Sequence, residues 1–298
     1  GSSDSSIARV RAQFGNDRRV RIIENRENLG FARANNIGLQ RARGRYILVL
    51  NPDCIVEPET LERVRDHLEQ EPVAGMAGCL LRNRDGTEQP GCRRSVPTPW
   101  RALVRVFHLD QVFPSHPRFR NFVLSREPLP DRPSFVEATS GAFMLVRREA
   151  LKQVGLFDEG YFLHCEDLDW CMRFRKQNWR ILFVADVEVT HYQGTCSVHR
   201  PIFVLWHKHK GMVRFYRKFF RHQYPLPLMA LVVGAVWGRF VVLAFRSLPS
   251  IALRRAKSIR QSRLEVRRPR TRSSRHVAER RMSGPEICYR GRERRRDG

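Results

Sequence analysis

The sequence has no CxxC pair, no zinc-type cysteine and histidine spacing and no internal repeat. Its seven cysteines are an odd number, so no disulfide framework is implied and the thiols read as reduced, as in a cytosolic setting. Neither an initiator methionine nor the pattern of a cleavable signal stands at the start, and Gly1-Ser2-Ser3-Asp4 suits either an expression scar or a natural sequence cut short. Acidic residues are scarce, 30 against 55 basic ones, which gives a formal charge of +25. That excess would ordinarily point to nucleic acid or an anionic membrane, but the arginines crowd between Arg254 and Arg296. The remainder carries ordinary acidic stretches such as Glu57 to Glu71, so no nucleic-acid partner is expected.

What is present suits one sizeable core, with 298 residues of which 42% are hydrophobic. Helical spacing of Ile7, Val10 and Phe14 marks a short helix, with Gly15 as terminator. Val20 to Glu24 reads as a strand, Phe31 to Ala42 as a helix, Tyr46 to Leu50 as a fully apolar strand and Glu59 to Gln70 as a helix. Apolar strands alternating with helices argue for an α/β doubly wound sheet, whose ligands bind beyond the carboxyl ends of the strands, where Asp53 falls. Pro90 to Pro133 is rich in proline and arginine and reads as a long loop of the substrate-binding kind, with one helix near Trp100 to Phe107. Regular pattern returns as a strand at Phe143 to Val146, helices at Arg148 to Val154 and Glu166 to Gln177, and a strand at Ile181 to Val184. Three regions follow: a catalytic domain over 1–200, a basic aromatic helix and apolar segment over 201–253, and an arginine-rich tail over 254–298 that lacks a burying face and reads as disordered.

Three constellations carry candidate chemistry. Asn51-Pro52-Asp53 follows a buried strand, where a carboxylate meets a divalent cation and phosphates, or where the same residues simply form an Asx or proline turn. Glu166-Asp167-Leu168-Asp169 opens a helix, where carboxylates cap the dipole or, crowded together, tune one another as a base for a hydroxyl proton. His191 stands near a strand end, a structural place or that of a nitrogen ligand which, with Asp53, suits manganese or magnesium.

Taken together, these residues resemble family 2 glycosyltransferases, and within them the rhamnosyltransferase-like branch that extends lipid-linked glycans. Six short motifs stand in order between Gly1 and about Gly194. Gly1-Ser2-Ser3-Asp4 resembles the end of the family's acidic-Gly-Ser-x-Asp motif, and Asn28-Leu29-Gly30-Phe31-Ala32-Arg33-Ala34-Asn35-Asn36-Ile37-Gly38 its donor-binding turn and helix. Asn51-Pro52-Asp53 sits where the family has DxD, Ser140-Gly141-Ala142 resembles the acceptor segment, Glu166-Asp167 the catalytic ED, and His191 the late metal-binding histidine. Asn51 replaces the first DxD aspartate, and the family's opening strand would precede Gly1, so the chain reads as amino-terminally truncated.

The resemblance implies a GT-A fold, with a mixed, mostly parallel sheet between helices and a membrane-associating carboxyl-terminal segment. It implies inverting transfer of rhamnose or another hexose from a nucleoside-diphosphate sugar to a lipid-linked or cell-surface glycan. Asp167 would be the base, with Glu166 positioning it. Asp53 and His191 would hold Mn2+ or Mg2+. Asp4, Asn28, Gly30, Asn36, Asn51 and Asp53 would serve the donor, and Ser140, Gly141 and Ala142 the acceptor. Leu226 to Phe245 is long enough to span a bilayer, but Arg239 inside it is costly there, so spanning and surface-lying are both open. The basic helix before it suits an anionic leaflet, which places the enzyme at the cytoplasmic face of a membrane, peripherally or through a single span. A catalytically silent or truncated relative of the same fold is the alternative, and behind it a basic nucleic-acid-binding protein.

Overall fold

The computed structural model describes residues 2, 4–113, 116–119, 122–192 and 200–266. In chain order it forms α1 (Ser6–Phe14), α2 (Phe31–Arg41), β1 (Tyr46–Leu50), β2 (Cys54–Ile55), α3 (Thr60–Gln70), β3 (Ala74–Arg82), β4 (Arg93–Arg94), α4 (Pro99–Val106) and α5 (Leu109–Val112). There follow β5 (Ser134–Val136), β6 (Ala138–Thr139), β7 (Phe143–Arg147), α6 (Arg148–Val154), α7 (Glu166–Lys176), β8 (Arg180–His191), α8 (Pro201–Phe220) and α9 (Leu226–Val266).

One six-stranded sheet, in the order β1-β7-β3-β8-β2 with β5 also on β8, forms the centre. Its strands alternate faces with the period of two that strand geometry imposes. Ile47, Val49, Met144 and Val146 enter one core with α2, α6, α7 and α8, while Leu145, Phe143, Leu182 and Val184 enter a second core with Val64 and Leu68 of α3. Both faces are therefore covered, which is why β1 and β7 read as continuous apolar runs.

The sheet is mixed as expected, but its pairing is mostly antiparallel rather than mostly parallel. β3 and β8 pair in parallel, whereas β7 lies antiparallel between β1 and β3, and β2 and β5 lie antiparallel on β8. A second correction concerns 20–24. The expected strand is extended chain without strand pairing, and Val20 and Ile23 are exposed. A compact apolar run becomes a strand only when a neighbour takes its hydrogen bonds and covers its face.

Residues after 200 pack into the same compact unit as the sheet. The compact unit runs from Gly1 to Ser247, and Leu248 to Gly298 forms a second unit. Val213, Phe215, Tyr216, Phe219 and Phe220 of α8 and Met229, Val232 and Val236 of α9 are buried in the first core. The disorder expected from residue 254 gives way to helix as far as Val266, and the rest of the tail lies outside the described residues.

Candidate functional site

Two polar clusters meet at one end of the sheet, one around Asp53 and His191 and one around Glu166 and Asp167, joined by the turn between β6 and β7. The first is built where β1 ends and β2 begins. Cys54 pairs with His191 across the β2–β8 ladder, and the Tyr192 amide donates to the Asp53 carbonyl at 2.9 Å, so the edge of the sheet delivers Asp53 and His191 to one point. His191 Nε2 lies 3.1 Å from Asp53 Oδ1, and Asn51 Nδ2 stands 3.4 Å from the same nitrogen. On its other side, His191 Nδ1 lies 2.6 Å from Gln89 Oε1, whose amide nitrogen donates to Asn83 at 3.1 Å.

That second contact sets the chemistry of the first. A Gln89 oxygen at Nδ1 selects the tautomer with its proton there, which leaves the Nε2 lone pair facing a carboxylate. Two acceptors at that distance repel unless a cation or a proton stands between them. Asp53, Cys54 and His191 offer an oxygen, a sulfur and a nitrogen within 4.8 Å of one another, a donor set of the right size for a divalent ion. Burial pushes the Cys54 thiol up to about 12, with the Asp53 charge adding to it, so this sulfur is a neutral neighbour that donates towards the Ala142 carbonyl at 3.5 Å.

The second cluster opens α7. His164 and Cys165 both take left-handed backbone, with φ of 67° and 69°, an uncommon conformation for side chains of this kind that swings the chain into the helix. Glu166 and Asp167 follow, and their environments drive them apart. Burial raises the Glu166 carboxyl to about 8, the neighbouring Asp167 charge adds to the rise, and Glu166 Oε2 is buried without a hydrogen-bond partner. Burial also pushes Asp167 upward, but the Arg94 guanidinium outweighs it. The ion pair is 2.5 Å long, and the amides of Gly141 at 3.3 Å and Leu168 at 2.8 Å add to it, so the Asp167 carboxyl is held below its ordinary range.

Ser140-Gly141-Ala142 is the bridge. The Ala142 carbonyl accepts from the Asn51 amide at 2.9 Å, and Ser140 Oγ accepts from the Ala142 amide at 3.3 Å. A β-carbon on Gly141 would stand 3.3 Å from the Asp167 β-carbon, so a small residue here lets the acidic helix approach the turn. The expected residues Asn51, Asp53, Ser140, Gly141, Ala142, Glu166, Asp167 and His191 are thus brought together.

The expected donor residues of the amino-terminal part are placed differently. Asn28 Oδ1 accepts from the Gly30 amide at 3.0 Å, and Gly30, with φ of 78°, opens α2 beneath the Phe162 carbonyl. Asn36 is buried, with its amide nitrogen donating to Phe157 and Glu159 at 3.0 Å and its oxygen accepting from the Phe157 amide at 2.9 Å. Its polar groups clip α2 to the 157–159 loop. Asp4 is exposed and accepts from the Ser6 amide at 3.1 Å, and α1 buries no residue. Gln89 and Arg94 are members of the site that the sequence pattern did not single out, although Arg94 falls in the arginine-rich stretch expected to bind substrate. A cleft of about 750 Å³ lined by Trp100, Arg101, Arg175, Phe220 and Tyr224 includes none of these residues.

With this geometry in place, comparison with known proteins assigns the class. The family model for glycosyl transferase family 2 matches residues 1–155. The chain belongs to that family, and is a glycosyltransferase by class. Its helix-flanked mixed sheet is the GT-A architecture that the resemblance implied. It is 29% identical over 226 residues to an N-acetylglucosaminyl-diphospho-decaprenol L-rhamnosyltransferase of Mycobacterium tuberculosis, which covers 72% of this chain and 71% of the relative. It is 28% identical to rhamnosyltransferase WbbL of Escherichia coli, over 55% of this chain and 61% of that protein. Among solved structures, a mannosyltransferase of Pyrobaculum calidifontis in complex with GDP-Man and Mn2+ aligns over 87% of this chain and 64% of its own, with a TM-score of 0.48 and 16% identity.

Proposed function

We propose that this chain transfers a deoxyhexose or hexose, rhamnose by analogy with the mycobacterial relative's name, from a nucleoside-diphosphate sugar to a lipid-linked glycan, with inversion at the anomeric carbon. The observation that carries this reading is the joining of the Asp53–His191 pair to the Glu166–Asp167 pair through Ser140-Gly141-Ala142. One side of the bridge suits a diphosphate and its cation. The other suits an acceptor hydroxyl.

Asp53 and His191 would hold Mn2+ or Mg2+, with Gln89 orienting the imidazole from behind and Asn51 donating to a phosphate oxygen. When bound, the cation neutralises charge on the departing diphosphate. Asp167 is the base. It is ionised at neutral pH and its side chain is 15% exposed, whereas Glu166 is more deeply buried and neutral below about pH 8. The acceptor proton passes to an Asp167 oxygen as the hydroxyl attacks, and Arg94 keeps the carboxylate aimed at the bridge. Glu166, holding its proton, positions the acceptor as a hydrogen-bond donor. Asn28, Gly30 and Asn36 shape the donor side through the α2 turn.

Membrane association rests on α9. Leu226–Pro249 has a mean hydropathy of 2.2 and the length to cross a bilayer. Yet Met229, Val232 and Val236, one helical stripe, are buried against the catalytic unit, while Leu226, Leu231, Val242 and Phe245 stay exposed. A helix packed on its own domain along one face and apolar on the other suits a surface-lying seat at the cytoplasmic leaflet better than a span.

The test is to supply the full natural chain with a panel of nucleoside-diphosphate sugars, Mn2+ or Mg2+ and a lipid-diphosphate glycan acceptor. Acceptor-dependent release of nucleoside diphosphate is expected for one donor class. No release with any donor would favour the catalytically silent reading.

A further inference from the structure

α8 crosses the protein beside the turn that launches the acidic helix. Gly211 sits so close that a β-carbon there would stand 2.8 Å from the His164 carbonyl, and Cys165 Sγ approaches the Lys208 carbonyl at 3.9 Å. On its other side α8 packs on α9 through rings. Trp206 lies 4.9 Å from Trp237 and 5.6 Å from Phe240, and His209 lies 5.6 Å from Phe240. These contacts set residues 206–209 against 237–240, so Lys208 and Arg239 lie in the segments where the two helices cross, and the Lys208 backbone adjoins the turn that opens α7.

Lys208 and Arg239 carry charge of one sign, whereas Arg94 is already paired with Asp167 at 2.5 Å. Lys208 and Arg239 are both exposed, and among the described residues neither makes an ion pair. Burial lowers the Lys208 ammonium, the positive charge of Arg239 lowers it next, and Cys165 opposes this more than Arg94 or Arg105 adds to it. Like charges gathered next to an apolar helix cost free energy unless an anion joins them. Arg239 sharpens the point. It lies 13 positions after Leu226, roughly 20 Å along the helix at 1.5 Å per residue, inside an otherwise apolar run where a cation would serve no burial.

We propose that Lys208 and Arg239, beside Arg94, form a binding site for the diphosphate of the lipid-linked acceptor. This rests on the reading that the acceptor is lipid-linked. The exposed apolar face of α9 at Val242 and Phe245 accompanies the lipid, the basic crossing takes the diphosphate, and the attached sugar reaches Asp167. The donor's diphosphate has its own place across the bridge, at Asp53 and His191.

The probes are farnesyl diphosphate, UDP with Mn2+, and phosphatidylglycerol vesicles, each bound to the full natural chain and followed by quenching of tryptophan fluorescence, to which Trp206 and Trp237 contribute. For the Lys208→Gln/Arg239→Gln double variant, farnesyl diphosphate affinity is expected to fall at least about tenfold, since hydrogen bonds to charged groups are worth that much each, while UDP affinity stays within about threefold. Unchanged farnesyl diphosphate affinity would overturn the proposal. So would an equal loss for UDP, which would make this a donor site, or a loss confined to the vesicles, which would make it a general phospholipid contact. A measurement on the wild type stands independently of how the variant folds: farnesyl diphosphate and UDP should bind together, and mutual exclusion would overturn the site. If the wild type binds farnesyl diphosphate as expected yet transfers no sugar to any lipid-diphosphate acceptor, the site stands and the proposed activity fails.

Discussion

At the residue scale, the informative contrast is between two adjacent carboxyls. Glu166 is pushed up by burial and Asp167 is held down by Arg94, so at neutral pH one is an acid and the other an anion. A group whose folded pKa lies above its unfolded value favours the native state at low pH and loses that contribution as pH rises. For Glu166 the window runs from its ordinary value of 4.5 to about 8. Glu166→Gln, which cannot ionise, removes the effect. Its melting temperature relative to wild type should therefore rise between about pH 4.5 and about pH 8, and a difference independent of pH would contradict the burial effect. At the other cluster, His191→Ala should weaken Mn2+ binding at least about tenfold by titration calorimetry, and Gln89→Leu, which frees the imidazole tautomer, should weaken it about tenfold or more. An unchanged affinity in His191→Ala would remove the metal assignment. Asp53, Glu166, Asp167 and His191 were legible because each opens or closes an element next to an apolar run. Gln89 and Arg94 were not, because their roles depend on what folds back onto them from positions 102 and 73 residues away.

At the element scale, most helices and the apolar strands could be read from periodicity, and α2, α3, α4, α6 and α7 stand within a residue or two of the expected positions. β3 could not. Its sequence, AGMAGCLLR, is too rich in small residues to announce a strand, yet it is the centre of the sheet, between β7 and β8. The small residues are there for packing. A β-carbon on Gly78 would stand 2.1 Å from Thr139 Oγ1, whose hydroxyl donates to the Cys92 carbonyl at 2.9 Å, and one on Gly75 would meet Ala150 and Trp179 below 3.0 Å. Gly78→Ala should accordingly cost roughly 1–3 kcal/mol in denaturant unfolding, as overpacking of a filled core does. A midpoint equal to wild type would show that the β6 turn yields freely. Conversely, 20–24 has the composition of a strand but no partner, and β8 runs on to His191 because β3, β5 and β2 all pair along it.

At the scale of the whole molecule, α8 and α9 as far as Ser247 are part of the compact unit that holds the candidate site rather than an appendage. Asp158 accepts from Arg214 at 2.9 Å and Lys218 at 2.6 Å, and Lys218 also reaches the fully buried Asp169 of α7 at 2.6 Å. Together with the five aromatic and aliphatic residues of α8 in the core, these pairs tie the segment after 200 to the helix that carries Asp167. A chain ended at Arg200 would expose that core and remove one of the two cations that pair with the buried Asp169, leaving Arg173 alone, so it should be recovered unfolded or aggregated by circular dichroism and sedimentation, whereas a chain ended at Arg255 should fold. A folded, monomeric 1–200 fragment would restore the boundary that composition suggested. Composition marks a change of character at residue 200, but amphipathic helices facing a domain and facing a membrane have the same periodicity, so it does not say which surface they face.

The central claim is that Asp167 takes the acceptor proton while the donor is held elsewhere, and turnover and donor binding measured together on Asp167→Asn test it most directly. Asp167→Asn should lower the turnover number by about 100-fold or more, with affinity for the nucleoside-diphosphate sugar within about threefold of wild type and Glu166→Gln retaining more activity than Asp167→Asn. Near wild-type turnover in Asp167→Asn, with Glu166→Gln inactive, would contradict it and pass the base role to Glu166.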